Sequence, residues 1–191
     1  MRIGSVKNRG YYKIKGAIGA FDFDFLDKTV LDIGSSTGGF TEIALEYGAN
    51  KVIAVEKGTQ QMEAPLRFDP RVELYEKTDI FEFHLSEECK PDVIVADVSF
   101  VSLTKILGYA KKWLSHKNTE FLVMLKPQFE AHEKQMTKGV VKNERIRREI
   151  IKQFEQWLKT NGFIIVKKHD NELAGKNGNI ERFYYLILAK K

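Results

Sequence analysis

A glycine-rich segment at residues 31–40, LDIGSSTGGF, is well suited to hold a small ligand. An apolar run precedes it and an amphipathic stretch follows it, so the glycines fall where a strand should turn into a helix. Gly34 and Gly38 permit a tight turn and a close backbone approach, and the following helix offers free N–H groups. The spacing departs from G-x-G-x-x-G and no Walker lysine follows, which disfavours nicotinamide dinucleotides and nucleoside triphosphates. A plain strand-to-helix turn is the alternative interpretation.

Three acidic residues stand where they could serve such a ligand. Glu56 ends the second predicted strand, about 20 residues beyond the loop, where a carboxylate can accept hydrogen bonds from both hydroxyls of an adenosine ribose. Asp79 follows the third strand and could reach an adenine amino group, although a loop-capping role fits nearly as well. Asp32 either orients the loop, holds an ammonium group of the ligand or caps the backbone. The predicted ligand-contacting residues are Asp32, Gly34, Ser35, Ser36, Thr37, Gly38, Gly39, Phe40, Glu56, Lys57, Asp79, Ile80 and Asp97.

Strand-like and helix-like segments alternate along the chain. The predicted strands are residues 29–33, 52–55, 72–75, 93–96, 121–125, 163–166 and 183–188. The predicted helices are residues 39–47, 60–67, 103–114 and 145–160, and the first twelve residues are interpreted as a basic arm. This order predicts an α/β fold: a doubly wound, seven-stranded, mostly parallel sheet with helices on both faces and ligands at the carboxyl ends of the strands. The last strand follows a glycine-containing turn with no room for a crossover helix, so it should be antiparallel to its neighbour.

Composition and charge narrow the class of protein. The 191 residues fit one domain, with residues 1–20 as a basic arm and first helix and residues 21–191 as the body. No apolar run is long enough to cross a membrane, Cys89 has no partner for an internal disulfide, and no signal peptide is visible, so we expect a cytoplasmic protein. The net charge of +5 and the isoelectric point near 9.1 favour a polyanionic partner.

Six motifs, in order over nearly the whole chain, carry a family resemblance. They are RGYYK (9–13), LDIGSSTGGF (31–40), ADVSF (96–100), KPQFE (126–130), KGVV (138–141) and GNIE (178–181). Together they resemble the TlyA (hemolysin A-like) family of FtsJ-type RNA methyltransferases, and DVSF with KPQFE is far more specific than the glycine loop. The resemblance implies a Rossmann-like methyltransferase fold, S-adenosylmethionine as methyl donor, and 2′-O-methylation of cytidines in ribosomal RNA. It makes ribosomal RNA or ribosomal subunits the expected partners.

The resemblance also implies a catalytic tetrad of Lys13, Asp97, Lys126 and Glu181. Asp97 and Lys126 end the fourth and fifth strands, Glu181 opens the last strand and Lys13 precedes the first helix, so all four should converge at the carboxyl edge of the sheet. A ribose hydroxyl is a poor nucleophile, and two cations beside it would stabilise a developing alkoxide while the carboxylates hold the lysines. Lys126 is given the central role, either orienting the oxygen or taking its proton. Taken singly, either lysine is more simply interpreted as part of a surface salt bridge.

RNA contacts are expected from basic residues near the termini and in loops, because such residues can neutralise phosphates. The predicted RNA-binding residues are Lys7, Arg9, Lys15, Lys138 and Lys176. Aromatic side chains could stack on a flipped nucleotide or simply pack in the core or at its rim; they are Tyr11, Tyr12 and Phe100. A basic cluster opens the last helix, against the preference of the helix dipole, and serves either RNA or a solvated face; it comprises Lys142, Arg145, Arg147 and Arg148. No metal site is predicted.

Relatives in this family usually carry a small RNA-binding domain before the catalytic domain, and this sequence begins almost where that domain would end. Either the sequence is a catalytic portion of a longer protein, or the protein depends on other RNA contacts. Three other functions compete with RNA methylation. A non-catalytic RNA-binding or ribosome assembly factor would keep the fold, and a small-molecule methyltransferase is disfavoured by the charge. The family name also suggests a cytolysin, for which the sequence offers no membrane-spanning segment or long basic amphipathic helix.

Overall fold

The computed structural model describes residues 7–175 and 178–190. Within them, one sheet is built from β1 (Thr29–Ile33), β2 (Lys51–Val55), β3 (Val72–Tyr75), β4 (Val93–Ala96), β5 (Glu120–Leu125), β6 (Phe163–Asp170) and β7 (Arg182–Leu188). The strand order is β3-β2-β1-β4-β5-β7-β6. The pairs among β1 to β5 are parallel, whereas β7 is antiparallel to both of its neighbours, β5 and β6. The predicted seven-stranded, mostly parallel sheet with an antiparallel last strand is confirmed.

Helices cover both faces of this sheet. They are α1 (Arg9–Phe21), α2 (Gly39–Glu46), α3 (Ala64–Arg67), α4 (Leu103–Tyr109), α5 (Pro127–Glu130) and α6 (Glu144–Thr160). Side chains alternate along β1, so Val30 packs with α1 and α2 on one face while Leu31 and Ile33 pack with α4 and α6 on the other. Burial on both faces explains why the central strands are continuous apolar runs.

The first helix begins earlier than the sequence suggested. The side chain of Asn8 accepts a hydrogen bond from the backbone N–H of Tyr11 at 3.1 Å and so caps α1, which starts at Arg9. Residues 9–12 are therefore helical rather than part of an extended arm. Lys13 was predicted to precede the first helix, and this was wrong, because it lies inside α1.

Two other boundaries differ from expectation. The helix predicted over residues 60–67 is reduced to α3, because the ring of Pro65 is compatible only with the first turn of a helix. Strand β6 continues to Asp170, four residues beyond its predicted end, and pairs with β7 through positions such as His169 with Phe183. This continuation was missed because an edge strand bonded through its backbone needs no apolar side chains.

Candidate active site

The glycine loop follows β1 directly and is held against the ends of two neighbouring strands. The backbone of Gly34 has φ +78° and its N–H donates to the carbonyl oxygen of Val55 at 2.9 Å. A Cβ atom on Gly34 would lie 3.3 Å from the carbonyl oxygen of Asp97, at the end of β4. Gly38 also has a positive φ, of +96°, just before α2. Both backbone conformations favour glycine, and a Cβ atom at either position would also crowd a neighbouring element.

A cavity of about 830 Å³ opens at the carboxyl ends of the parallel strands. The predicted ligand-contacting residues that line it are Gly34, Ser36, Glu56, Lys57, Asp79, Ile80 and Asp97. Lys126 and Phe100 also line it. Its volume lies within the range of small-molecule and cofactor sites in proteins. The structure thus brings most of the predicted ligand-contacting residues to one site, where the fold predicts a ligand.

Glu56 extends from the end of β2 toward the glycine loop. One carboxylate oxygen, Oε2, accepts a hydrogen bond from the N–H of Ser36 at 2.9 Å, and the other, Oε1, accepts one from the N–H of Gly58 at 2.6 Å. Oε1 also accepts a longer bond from the side-chain amide of Gln61 at 3.4 Å, so the lone pair that remains available is on Oε2. The carboxylate is therefore oriented by the backbone on both sides and retains capacity to accept from ribose hydroxyls.

Asp79 lies across the cavity and pairs with Lys57, whose Nζ is 2.9 Å from Oδ2. The N–H of Phe81 donates to the other oxygen at 3.1 Å. The hydrogen bond from Lys57 is the largest influence that holds the pKa of Asp79 below its usual value, followed by the one from Phe81. Asp79 is thus both a loop cap and an ionised acceptor on the cavity wall, so the two predicted roles are compatible.

A second cavity, of about 190 Å³, lies between the glycine loop and the start of α1. The predicted ligand-contacting residues that line it are Gly34, Ser35, Ser36, Thr37, Gly39, Phe40 and Asp97. Ser35 is 4% exposed, and its hydroxyl oxygen has no hydrogen-bond partner among the described residues. A buried hydroxyl without a partner is costly, which makes it a candidate contact for a ligand.

Asn8, which sequence reasoning missed, joins α1 to the glycine loop. Its Nδ2 donates to the hydroxyl of Thr37 at 2.7 Å, while its Oδ1 caps the helix through Tyr11. A Cβ atom on Gly39 would lie 2.3 Å from that Oδ1, so glycine is needed where α1 approaches the loop. An asparagine directly before a helix is an N-cap signal and could have been recognised. Its bond to the loop could not, because it is a tertiary contact.

Two predicted ligand-contacting residues line neither cavity. Asp32 is fully buried, and its Oδ2 accepts a hydrogen bond from the hydroxyl of Thr41 in α2 at 2.7 Å. Gly38 faces Leu66, whose Cδ1 would lie 2.3 Å from a Cβ atom at that position. The other oxygen of Asp32, Oδ1, is buried without a hydrogen-bond partner among the described residues, so the orienting role and the contact with an ammonium group both stay predictions.

The buried carboxyl of Asp32 leads to a prediction about stability. Burial raises the pKa of Asp32 from its usual 3.8 to about 7, and the carboxylates of Asp97 and Glu56 add to the shift, although the bond from Thr41 opposes it. The folded state then binds this proton more tightly than the unfolded state does, so its contribution to stability is lost as the pH rises from 3.8 to about 7. The free energy of unfolding of Asp32→Asn minus that of wild type should therefore increase as the pH rises over this range, because asparagine does not titrate. Urea unfolding of both proteins at several pH values tests this, and a pH-independent difference would contradict it.

The four residues of the predicted tetrad form two ion pairs. Lys126 Nζ lies 2.5 Å from Asp97 Oδ1 and donates to the hydroxyl of Ser99 at 2.9 Å. Lys13 Nζ lies 2.5 Å from Glu181 Oε2, and these side chains are only 8% and 3% exposed. Asp97 lines both cavities, and the start of α1, the helix that carries Lys13, borders the smaller one. Ser99 was not among the predicted site residues, although it lies within the DVSF motif.

Two aromatic rings stand beside Lys126. Phe100 has φ +64°, a strained conformation for a residue other than glycine, and its side chain is 91% exposed. Its ring centroid is 5.1 Å from that of Phe129 in α5. The DVSF and KPQFE motifs thus present an exposed aromatic surface next to the lysine. Tyr11, by contrast, is fully buried and its hydroxyl donates to Glu46, so the packing alternative applies to Tyr11.

The KGVV and GNIE motifs meet at Asn179, which is 4% exposed. Its Oδ1 accepts a hydrogen bond from the N–H of Val141 at 3.0 Å, and its Nδ2 donates to the carbonyl of Gly139 at 3.1 Å. The N–H of Asn171 donates to the carbonyl of Glu181 at 2.8 Å. These bonds fix the backbone on both sides of Glu181 and explain why an asparagine stands two positions before it.

Most of the predicted RNA-binding residues are exposed: Lys7, Arg9, Lys15 and Lys138. The guanidinium of Arg9 donates to the carbonyl of Ala174. Lys176 lies outside the described residues.

The basic cluster at the start of α6 needs one correction. Arg147 is 5% exposed and pairs with Asp170 of β6 at 2.7 Å, so this arginine ties α6 to the sheet and is not available on the surface. Its buried position follows from the contact with β6, which the helical pattern alone did not reveal. The other members of the cluster are exposed: Lys142, Arg145 and Arg148.

Comparison with known proteins identifies the family. The model of the FtsJ-like methyltransferases matches residues 6–188. The chain belongs to the FtsJ-like methyltransferase family. Within this family it is 37% identical over 182 residues to the Campylobacter jejuni protein named 23S rRNA (cytidine-2′-O)-methyltransferase TlyA, covering 94% of this chain and 70% of the relative. It is 34% identical over 183 residues to the Mycobacterium tuberculosis 16S/23S rRNA (cytidine-2′-O)-methyltransferase TlyA, covering 94% and 67%.

Solved structures agree with this assignment. A protein from Streptococcus thermophilus described as a hemolysin superposes with a TM-score of 0.91 at 32% identity, covering all of this chain and 70% of that one. The fibrillarin pre-rRNA processing protein of Methanococcus jannaschii shares the fold, with a TM-score of 0.66 at 20% identity over 88% of this chain and 70% of its own. The predicted TlyA resemblance, methyltransferase class and S-adenosylmethionine-dependent fold are confirmed. No helix among the described residues is long and apolar enough to cross a membrane.

Proposed function

We propose that this FtsJ-like methyltransferase transfers a methyl group from S-adenosylmethionine to the ribose 2′-hydroxyl of a cytidine in ribosomal RNA. The observation that carries the proposal is the Lys126–Asp97 pair on the wall of the larger cavity. The names of the two TlyA relatives describe the same reaction. With a ribosomal substrate, the proposed reaction takes place in the cytoplasm.

The residues of the two cavities fit S-adenosylmethionine. In the larger cavity, Glu56 would accept from the ribose hydroxyls and Asp79 from the adenine amino group. In the smaller cavity, the unpartnered buried hydroxyl of Ser35 and the N-terminal turn of α1 provide donors suited to a carboxylate. When bound, the cofactor supplies a methyl group already activated by its positively charged sulfur.

Lys126 has the geometry to act on the acceptor hydroxyl. Asp97 and Ser99 hold its ammonium group from one side, so its position is set before substrate arrives. A hydroxyl beside the cavity would receive a hydrogen bond from this ammonium group, which stabilises the negative charge that develops on the oxygen. The oxygen would bond to the methyl carbon as that carbon leaves the sulfur, and the hydroxyl proton would pass to water at the open mouth of the cavity. Positioning the hydroxyl for in-line attack on the methyl group would lower the barrier further.

The Lys13–Glu181 pair is proposed to complete the site from the other side. Its members come from α1 and from the residue before β7, and both are buried, so the pair holds the two ends of the chain together. Neither Lys13 nor Glu181 is among the residues that line the two cavities, but the start of α1 borders the smaller one, which supports a role for the pair near the proposed cofactor site. We infer that Lys13 provides the second cation of the tetrad.

RNA would bind over the mouth of the larger cavity. Lys7, Arg9, Lys15 and Lys138 are proposed to contact phosphates, and the exposed Phe100 to stack on the flipped cytidine. A non-catalytic RNA-binding factor would not need the two buried or half-buried lysine–carboxylate pairs. A cytolysin would not need a cavity of cofactor size with an ammonium group on its wall.

Phe100→Ala should raise the KM for RNA roughly 5- to 150-fold, because stacking on an aromatic ring contributes about 1–3 kcal/mol per base. The affinity for S-adenosylmethionine should change little, and Phe100→Tyr should keep most of the RNA affinity. Steady-state methyl transfer with RNA as the varied substrate measures the first effect, and calorimetry measures the second. An unchanged KM for Phe100→Ala would contradict the stacking role.

The proposed function is tested by transfer of labelled methyl from S-adenosylmethionine to isolated ribosomal subunits and naked ribosomal RNA. Label should appear in a linkage that resists alkaline hydrolysis, since a methylated 2′-oxygen cannot attack the adjacent phosphate. Label on a base, or on a small molecule in preference to RNA, would overturn the ribose assignment. RNA binding without any transfer would favour the non-catalytic factor.

A further inference from the structure

Glu130 lies outside both cavities, yet it is connected to the loop that begins with Asp97 of the tetrad. It is the last residue of α5, and its side chain reaches back to the start of α4. Its Oε1 accepts a hydrogen bond from the N–H of Leu103 at 2.6 Å, and its Oε2 accepts one from the hydroxyl of Ser102 at 2.6 Å. Glu130 therefore makes two short bonds to one turn of a neighbouring element.

These two bonds join the segments that meet at Lys126. The β4 loop is defined here as residues 97–102 and the β5 loop as residues 126–130. On the cavity side, the two loops meet through the bonds of Lys126 to Asp97 and Ser99. At their far ends they are joined by Glu130. With both ends fixed, neither loop can slide relative to the other without breaking a charge-assisted hydrogen bond.

A far-end anchor is needed because the β4 loop is strained and exposed. Phe100 is held in the left-handed region at φ +64°, two residues before Ser102. A strained loop persists only where surrounding contacts determine its conformation. Burial raises the pKa of Glu130, although the hydrogen bonds from Ser102 and Leu103 oppose the shift. The carboxyl is therefore partly desolvated where it makes these contacts, unlike a carboxyl that makes hydrogen bonds on the open surface.

We propose that Glu130 is a positioning residue that keeps Asp97 and Ser99 in contact with Lys126, so that the ammonium group faces the acceptor hydroxyl. A carboxylate suits this position because its two oxygens accept from a hydroxyl and a backbone N–H at once. The catalytic consequence rests on the proposed function, whereas the effect on Lys126 itself does not. A role limited to capping α4 would stabilise the protein without changing the surroundings of Lys126.

The first experiment measures how fast the amine of Lys126 is acetylated by an N-hydroxysuccinimide ester in the full chain, by peptide mass spectrometry. Lys126 is 10% exposed in its pair with Asp97, and the exposed Lys159 serves as internal reference. Glu130→Ala should raise the relative labelling of Lys126 several-fold, and Glu130→Gln, which retains one acceptor oxygen, should raise it less. Glu133→Ala, an exposed glutamate nearby, is the matched control and should have no effect.

The second experiment measures methyl transfer with the same variants. Glu130→Ala should lower kcat roughly 10- to 100-fold, as expected for small misplacement of a catalytic group, with the affinity for S-adenosylmethionine within about 2-fold of wild type. The KM for RNA should rise as well, but less than in Phe100→Ala, because Phe100 belongs to the loop that loses its anchor. If Glu130→Ala does not fold, Ser102→Ala removes one of the two bonds and should give the same pattern at smaller size. Unchanged labelling of Lys126 in a folded variant overturns the proposal. If labelling rises but wild type methylates no RNA, only the proposed function fails.

Discussion

Lys126→Ala is expected to lower the rate of methyl transfer about 10²- to 10⁴-fold at saturating S-adenosylmethionine. The ammonium group is the donor on the cavity wall that Asp97 and Ser99 hold in place, and alanine removes it entirely. Binding of S-adenosylmethionine should be largely retained, because the proposed adenosine contacts come from Glu56 and Asp79. Single-turnover transfer to ribosomal RNA measures the rate, and calorimetry measures the affinity for the cofactor.

Two further variants sharpen this result. Lys126→Arg keeps the charge but replaces a compact ammonium group with a planar guanidinium, so it should remain strongly impaired. Lys159→Ala removes an exposed lysine at the end of α6 and should behave as wild type. Full methylation by Lys126→Ala would show that the tetrad is wrongly assigned. Equal RNA binding by wild type and Lys126→Ala, with transfer by neither, would instead support a non-catalytic factor.

Lys13→Met is expected to lower the free energy of unfolding by about 3–5 kcal/mol, because it leaves the carboxylate of Glu181 buried without its partner. Methyl transfer should be lost as well. The double variant Lys13→Met with Glu181→Leu replaces both charges with apolar side chains of similar size. It should regain most of the lost stability, since replacing a buried pair is far less costly than breaking it. It should not regain activity.

Urea unfolding and methyl transfer of the two single variants and the double variant separate stability from catalysis. A stable but inactive double variant is the expected result, because the pair is proposed to place a second cation at the site as well as to join α1 to β7. If the double variant methylates RNA at the wild-type rate, the Lys13–Glu181 pair is structural only.

The fold followed from the sequence because its strands are buried on both faces. Continuous apolar runs such as those in β4 and β5 are typical of strands covered on both sides, and their alternation with helices predicts a parallel sheet. The predicted boundaries were wrong where the pattern of apolar and polar side chains does not determine the secondary structure. Strand β6 runs on through polar residues because its backbone is bonded to β7, and α1 begins early because Asn8 caps it.

The candidate site divides in the same way. The sequence by itself determined which residue types stand at the ends of β1, β2, β4 and β5, because parallel strands bring their carboxyl ends to one edge. The motifs also identified the family. Only the tertiary structure decided which polar groups pair: Lys126 with Asp97, Lys13 with Glu181 and Glu130 with Ser102. It also showed that Arg147, which the sequence grouped with a basic surface cluster, is buried and connects α6 to the sheet. Such pairings depend on which distant segments come into contact and on which polar groups are buried there. Local sequence patterns determine neither of these.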